Sequence, residues 1–385
     1  MPDFSLTEEQ EALRSSVQDF AREQVAPVIG DFYERKAFPY EIVRQMGKMG
    51  LFGLPFGEEH GGMGGDYFAL CLALEELARI DSSVAITLEA AVSLGAMPIY
   101  RFGTPQQQAT WLPRLTSGEA LAGFGLTEPG TGSDAGGTTT RAVLDPVTDE
   151  WVINGSKAFI TNSGTDITCL VTVMAVTGVD ADGRKELSTI IVPSGTPGFT
   201  VAPGYSKVGW CASDTHELAF DDVRVPAANL LGRRGRGYAQ FLQILDEGRI
   251  AIAALAVGLA QGCVDESVKY AGQRQSFGRA IGGFQAVRFM IATMEMRAHT
   301  ARVAYYDAAA RMLAGRPFKR QAAMAKLYAS ECAMANARDA TQVHGGYGFM
   351  NESAVGRFYR DAKILEIGEG TSEVQRMIIA RELGL

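Results

Sequence analysis

The sequence is short of the residues that build metal sites and disulfide frameworks. Its 385 residues include four histidines, at 60, 216, 299 and 344, and no two are helix neighbours. A His-based metal centre is therefore not expected. The five cysteines (Cys71, Cys169, Cys211, Cys263 and Cys332) are scattered, odd in number and form no Cys-x-x-Cys pair. That pattern argues for a reducing, cytoplasmic setting with neither a disulfide framework nor a zinc site. Positive charge is also scarce: 36 Lys+Arg against 44 Asp+Glu leave a net charge of −8. Nucleic acid and an anionic membrane surface are poor partners for such a chain, although a local basic patch for a phosphate is not excluded. No charged-then-apolar leader opens the chain, and no apolar run reads as long enough to span a bilayer. There is no internal repeat and no low-complexity tail.

What is present is apolar residues in two distinct periods. With 46% hydrophobic residues in 385, more than one domain is expected. Residues 1–120 read as helical. Thr7 followed by Gln10 resembles a capping box, and Leu13, Val17, Phe20 and Ala21 recur at helical spacing. Further helices are predicted from Tyr40 to Met49, Tyr67 to Ile80 and Ser83 to Phe102. The last is almost wholly small or apolar apart from Glu89, which reads as a polar group at the helix margin. From 121 to 235 the pattern changes to short β-rich runs without intervening helices, which predicts an antiparallel barrel or sandwich. Asn154-Gly155 is its strongest hairpin signal. From 236 to 385 long helical stripes return, including Phe241, Ile244, Leu245, Ile252, Leu255 and Leu259. The expected fold is mainly α with a β middle domain.

The chemistry concentrates near the C-terminus, between Lys363 and Arg376. There Glu369 stands between Gly368 and Gly370, ahead of Thr371 and Ser372, which offer a helix-starting hydroxyl. A carboxylate on such a turn suits a general base, and it equally suits an ordinary surface loop. A second stretch, Phe124 to Asp134, is rich in glycine and hydroxyl residues whose N–H groups suit a pyrophosphate; a flexible turn between domains reads as well.

Residues 368–376, Gly-Glu-Gly-Thr-Ser-Glu-Val-Gln-Arg, resemble the C-terminal signature of the acyl-CoA dehydrogenases. The resemblance covers essentially the whole chain and implies a helical domain, a β-barrel and a C-terminal four-helix bundle. It implies that Glu369 removes the α-proton of an acyl-CoA thioester, with Gly368 and Gly370 beside the substrate and Thr371 and Glu373 toward FAD. The usual Tyr before the base is here Gly368. The segment 124–134 is similar to the family's T-E-P-x-x-G-S-D motif. This implies that Phe124, Leu126 and Thr127 lie along the flavin, with Gly132 and Ser133 near the FAD or the pantetheine. Phe159, Ile160 and Thr161 resemble the strand packed on another part of the flavin. Arg274, Phe277, Phe284 and Gln285 fit the pattern by which one subunit grips its neighbour's FAD. Gln342, Val343, Gly345 and Gly346 resemble the loop holding the adenosine side, which explains His344 as loop structure.

Some family members place the base on the first helix of the last domain. The matching residue here is Gly248, with Glu247 one position off and so turned about 100° around the helix. Asp246 and Arg249 match positions that contact CoA; an intrahelical ion pair would also explain them. The implied activity is FAD-dependent dehydrogenation of short or short branched-chain acyl-CoA, in fatty acid or branched-chain amino acid catabolism. Electrons would pass to electron-transfer flavoprotein, and the family is usually a homotetramer. An acyl-CoA oxidase or flavin monooxygenase of the same fold is one rival reading. A colourless, non-enzymatic helical scaffold is another.

Overall fold

Side-chain capping sets the helix starts of the first third. In the computed structural model, which describes residues 5–180 and 182–385, Thr7 caps α1 (Glu8–Phe20). Its hydroxyl accepts from the Gln10 N–H, and the Gln10 side chain accepts from the Thr7 N–H. Residues 1–4, read above as leading straight into this helix, lie outside the described residues. Helix α2 (Ile29–Arg35) was not anticipated, because seven residues are too few to show a period. Helix α3 (Tyr40–Lys48) stops ahead of Gly50, whose φ of 74° reverses the chain. Helix α4 (Tyr67–Ala78) starts on Asp66, and α5 (Ser82–Glu89) on Asp81. A π-helical stretch, Ala90–Ala96, joins α5 to α6 (Met97–Phe102). Helix α7 (Pro105–Thr116) begins with a second reciprocal box, between Thr104 and Gln107.

The middle segment corrects two expectations. Its strands are β1 (Leu121–Gly125), β2 (Arg141–Asp145), β3 (Glu150–Thr161), β4 (Thr168–Val179), β5 (Lys185–Pro193), β6 (Phe199–Val201), β7 (Thr215–Pro226) and β8 (Leu230–Leu231). They form one eight-stranded sheet in the order β6-β7-β3-β2-β4-β5-β8, with β1 added on β4. The sheet is mixed rather than antiparallel, because β1 and β2 both run parallel to β4. Asn154-Gly155 does not turn the chain. It lies inside β3, where the register with β7 shifts between Ile153 and Gly155. A Cβ at Gly155 would come within 2.6 Å of the Thr140 hydroxyl, so the glycine serves a close approach of strands. The actual reversal is at residues 146–149, where Asp149 has a φ of 55°.

The last segment holds α8 (Gly237–Gln273), a short hairpin of β9 (Gln275–Ser276) and β10 (Arg279–Ala280), then α9 (Gln285–Leu313), α10 (Lys319–His344), α11 (Ala354–Leu365) and α12 (Ser372–Glu382). Five helices therefore stand where four were expected. Helix α11 had a legible stripe in Val355, Phe358, Ala362 and Leu365, all buried. Helix α8 packs against α4, α9, α10 and α11, while α12 lies on α10. The stretch Ser82–Phe102 and helix α8 are both long and apolar enough to cross a membrane by composition, contrary to the sequence reading. Their most apolar windows are 94% and 89% buried within the protein, so they serve as its core.

One carboxylate ties these parts together. Asp361 on α11 is fully buried and accepts from the Tyr33 hydroxyl at 2.6 Å, the Ser82 hydroxyl at 2.7 Å and the Trp210 amide at 2.7 Å. Helix α2, the start of α5, the loop before β7 and α11 thus share a single acceptor. Replacing Asp361 with Ala strands three donors, each worth ~1–3 kcal/mol when buried without a partner. The expected loss is at least ~3 kcal/mol, read as a lower midpoint in denaturant unfolding; an unchanged midpoint would show that the node is not needed.

Candidate active site

The turn carrying Glu369 is strained and firmly held. Glu369 has a φ of 51° and Gly370 a φ of 92°. Gly368 is not in that left-handed region, so of the two flanking glycines only Gly370 supplies the backbone freedom foreseen. Gly368 instead closes α11, its N–H donating to the Ile364 carbonyl at 2.7 Å. A non-glycine residue in the left-handed region costs energy and persists where its neighbours fix it. Here the Lys326 ammonium donates to the Gly370 carbonyl at 2.8 Å. The Gln375 amide donates to the same oxygen at 2.9 Å and to the Glu369 carbonyl at 3.3 Å. Thr371 caps α12 by accepting from the Val374 N–H. Lys326 is fully buried, which pushes its pKa down to about 8 against the opposing pull of the Glu369 charge.

This turn drives the Glu369 carboxyl into the protein. Both of its oxygens are buried, and no N–H or hydroxyl donor among the described residues reaches them. Oε2 would lie 2.6 Å from a Cβ placed on Gly248. A side chain at 248, the position that carries the base in other family patterns, would push the Glu369 carboxyl from the place it occupies here. Burial raises the Glu369 pKa, opposed by a hydrogen bond with Glu89 and by the charges of Lys326 and Arg249. Glu89 ends α5 and is fully buried rather than at a helix margin. Its pKa is held well above the carboxylate range by burial first, then by the charge of Glu369. Its signal in the sequence was visible: one acid in an otherwise apolar helix. Lys326 left no such mark among the many charges of α10.

On α8 the predicted residues divide. Asp246 and Arg249 form the three-residue ion pair, with Arg249 buried and Lys319 4.0 Å from Asp246. Glu247 turns away to pair with Arg101 at 3.1 Å. It is not near the base, as its helical offset requires.

The surfaces predicted to hold a flavin come together in two places. At the first, the Ala158 N–H donates to the Thr127 carbonyl at 2.8 Å, laying the loop after β1 across β3. Phe159 has a φ of 61° and is 65% exposed beside this contact, with Thr161 half-buried two residues on. Gly132 and Ser133 are exposed, and no other group approaches the missing Cβ of Gly132. Not every predicted side chain faces outward. The Phe124 ring stacks on Phe241 at 3.9 Å, Leu126 is buried, and Ile160 packs into the sheet core. The second place is a cavity of about 550 Å³ whose lining includes Tyr270, Arg274, Val343, Gly345, Gly346 and Tyr347. Two motifs some seventy residues apart in sequence meet there. His344 also lines it, stacked on Tyr270 at 4.2 Å, with burial lowering its pKa. Phe277 sits 93% exposed at the tip of the β9–β10 hairpin, and Arg279 covers Phe284. Gln285 and Gln342 are exposed, and Glu373 is exposed in the first turn of α12. An exposed aromatic, an open glycine loop and an arginine-lined cavity suit the ring and phosphates of a dinucleotide.

Helical, mixed-sheet and helical segments in this order, with a buried carboxyl at Glu369 just before the last helix, fit the class of flavin-dependent acyl-thioester dehydrogenases. Comparison with known proteins agrees. The acyl-CoA dehydrogenase N-terminal, middle and C-terminal domain models match residues 7–119, 123–223 and 235–384. A probable acyl-CoA dehydrogenase of Bacillus subtilis is 50% identical over 380 residues, 99% of each chain. Butyryl-CoA dehydrogenase from Megasphaera elsdenii superposes with a TM-score of 0.95 at 40% identity over all of both chains. A chain in a structure of the electron transferring flavoprotein of Acidaminococcus fermentans matches at 0.94 and 40%, over 99% of each. An acyl-CoA dehydrogenase complexed with FAD from Bacillus anthracis matches at 0.93 and 32%, over all of this chain and 68% of that one. The chain belongs to the acyl-CoA dehydrogenase family. It is an oxidoreductase acting on a CH–CH bond, and its cofactor is FAD.

The crowding at Gly248 yields a direct test. Gly248→Ala places a methyl against the base, and a displacement of about 1 Å costs on the order of 10²-fold in rate. FAD content should stay at the wild-type level while turnover of butyryl-CoA falls by that order. Full turnover in the variant would mean that Glu369 does not work from this position.

Proposed function

We propose that the protein converts short or short branched-chain acyl-CoA to the trans-2-enoyl-CoA, with Glu369 as the sole base and electron-transfer flavoprotein as electron acceptor. The observation that carries this reading is the dry Glu369 carboxyl, aimed inward from a turn that four hydrogen bonds hold. In such a site the carboxylate takes the α-proton without competing water. The Glu369 N–H donates to no backbone group among the described residues, which leaves it for the thioester oxygen, where enolate charge develops. Bound FAD supplies the acceptor for the hydride from Cβ.

Leu126, Thr127, Gly132, Ser133, Phe159 and Thr161 are the groups proposed for the near end of FAD. Arg274, Phe277 and Gln285, with Gln342, Val343, Gly345 and Gly346 of the same chain, would grip the FAD of a neighbouring subunit. The bare Phe277 ring, with exposed Phe289, Met296 and Phe349, supports burial of this region in a homotetramer. Three domains divided near 120 and 235 and a cytoplasmic site of action complete the reading.

The short and branched preference rests on Gly368. The only group near its missing Cβ is the Ile364 carbonyl, at 3.4 Å, and its backbone needs no glycine-only conformation. A side chain there meets the substrate side of the turn rather than backbone strain. Glu369→Gln should keep bound FAD and lose ~10²–10⁴-fold in anaerobic flavin reduction by butyryl-CoA; near-normal bleaching would remove Glu369 from the mechanism. Gly368→Tyr should lower kcat/KM for isobutyryl-CoA relative to butyryl-CoA by roughly tenfold, since filling a packed site costs ~1–3 kcal/mol. An unchanged ratio would reject the pocket argument.

A further inference from the structure

Glu89 has no part in the reaction as described, yet it is buried beside Glu369, with the Ser93 hydroxyl as a further neighbour. The carboxyls of Glu89 and Glu369 approach the same point on α8. Measured from the position of a Cβ on Gly248, Glu369 Oε2 is at 2.6 Å and Glu89 Oε1 at 3.8 Å. None of the four oxygens is exposed, and no N–H donor among the described residues reaches them. The other groups facing them are committed elsewhere. Lys326 on α10 is bonded to the Gly370 carbonyl and Arg249 on α8 to Asp246. On α4, Tyr67 is bonded to Ser93, and Cys71 is a buried free thiol. Two dry carboxyls this close do not both ionise. A proton on one makes it the hydrogen-bond donor that the other lacks.

We propose that Glu89 is a positioning residue that holds a proton and donates it in a hydrogen bond to Glu369, keeping the base ionised inside the protein. This rests on the reading of Glu369 as the base. Burial and then the charge of Glu369 raise Glu89, and although burial raises Glu369 overall, the bond from Glu89 is the first cause that opposes it. The pair titrates as a unit, so the acid limb of activity belongs to both residues. Glu89 thereby sets how far below neutral pH the enzyme keeps its base.

Two variants separate this role from a packing role. Glu89→Gln keeps a donor toward Glu369, and Glu89→Leu keeps volume but no donor. In the FAD-loaded enzyme, the acid limb of kcat/KM should move up by about one pH unit or more in the Leu variant, because the supporting bond is lost. That is roughly tenfold per unit at pH values below the limb. In the Gln variant the limb should stay within about half a unit of wild type, whatever its maximal rate. A downward shift in both variants would mean that Glu89 is ionised and repels the base, which overturns the proposal. No shift in either would do the same. Infrared difference spectra of the substrate-free holoenzyme supply a readout without turnover. The wild type should show the carbonyl stretch of a buried carboxylic acid that Glu89→Gln lacks, and its absence from the wild type rejects the shared proton. That spectrum also decides the case if the Leu variant does not fold. A failure there leaves the Glu369→Gln result standing, so the two readings fail separately.

Discussion

The structure depends on holding one carboxylate dry. A buried Glu tends to take up a proton, and a protonated Glu369 is useless as a base. The surroundings counter that tendency without a direct ion pair. Lys326 and Arg249 supply positive charge from a short distance while bonded elsewhere, and Glu89 lies against the carboxyl itself. A direct salt bridge would lower the pKa further but would occupy the oxygens that must meet substrate.

Geometry and electrostatics are coupled in the same few residues. Lys326 places its charge near Glu369 and also fixes the left-handed turn through the Gly370 carbonyl. Gly248 contributes by having no side chain, since α8 can then pass close enough to shield the carboxyl. The π-helical segment after Glu89 begins where that side chain turns inward. Such segments interrupt the regular ladder and are frequent at functional sites. The Asp361 node joins α11, which leads directly into the Glu369 turn, to α2, α5 and the loop before β7. The positions of Glu89 and Glu369 are thus tied through elements more than 200 residues apart in the chain.

Much of this was legible in the chain because it is local. The Thr7–Gln10 box, the apolar stripe of α8 and the N-cap at Thr371 each depend on residues within a turn or two. The motif at 368–376 singled out Glu369, whose carboxyl is buried, and Glu247, one residue from 248, pairs with Arg101. Local signals failed where partners decide. Asn154-Gly155 has the composition of a turn, but the runs on both sides of it pair with β7, so the chain continues as one strand. The strands parallel to β4 could not be read from alternation, which is the same for either direction of pairing.

The sequence by itself determined most of the long helices, the β-rich middle segment, and that no carboxylate exists at 248. Those follow from period, capping and residue identity, which operate over a few residues. Only the tertiary structure decided that Glu89 faces inward, that Lys326 braces the turn, and that strain falls on Glu369 rather than on Gly368. A helix presents every side chain somewhere, and which face is dry depends on what packs against it. For Glu89 that neighbour is a turn 280 residues later in the chain, and no local pattern carries its position.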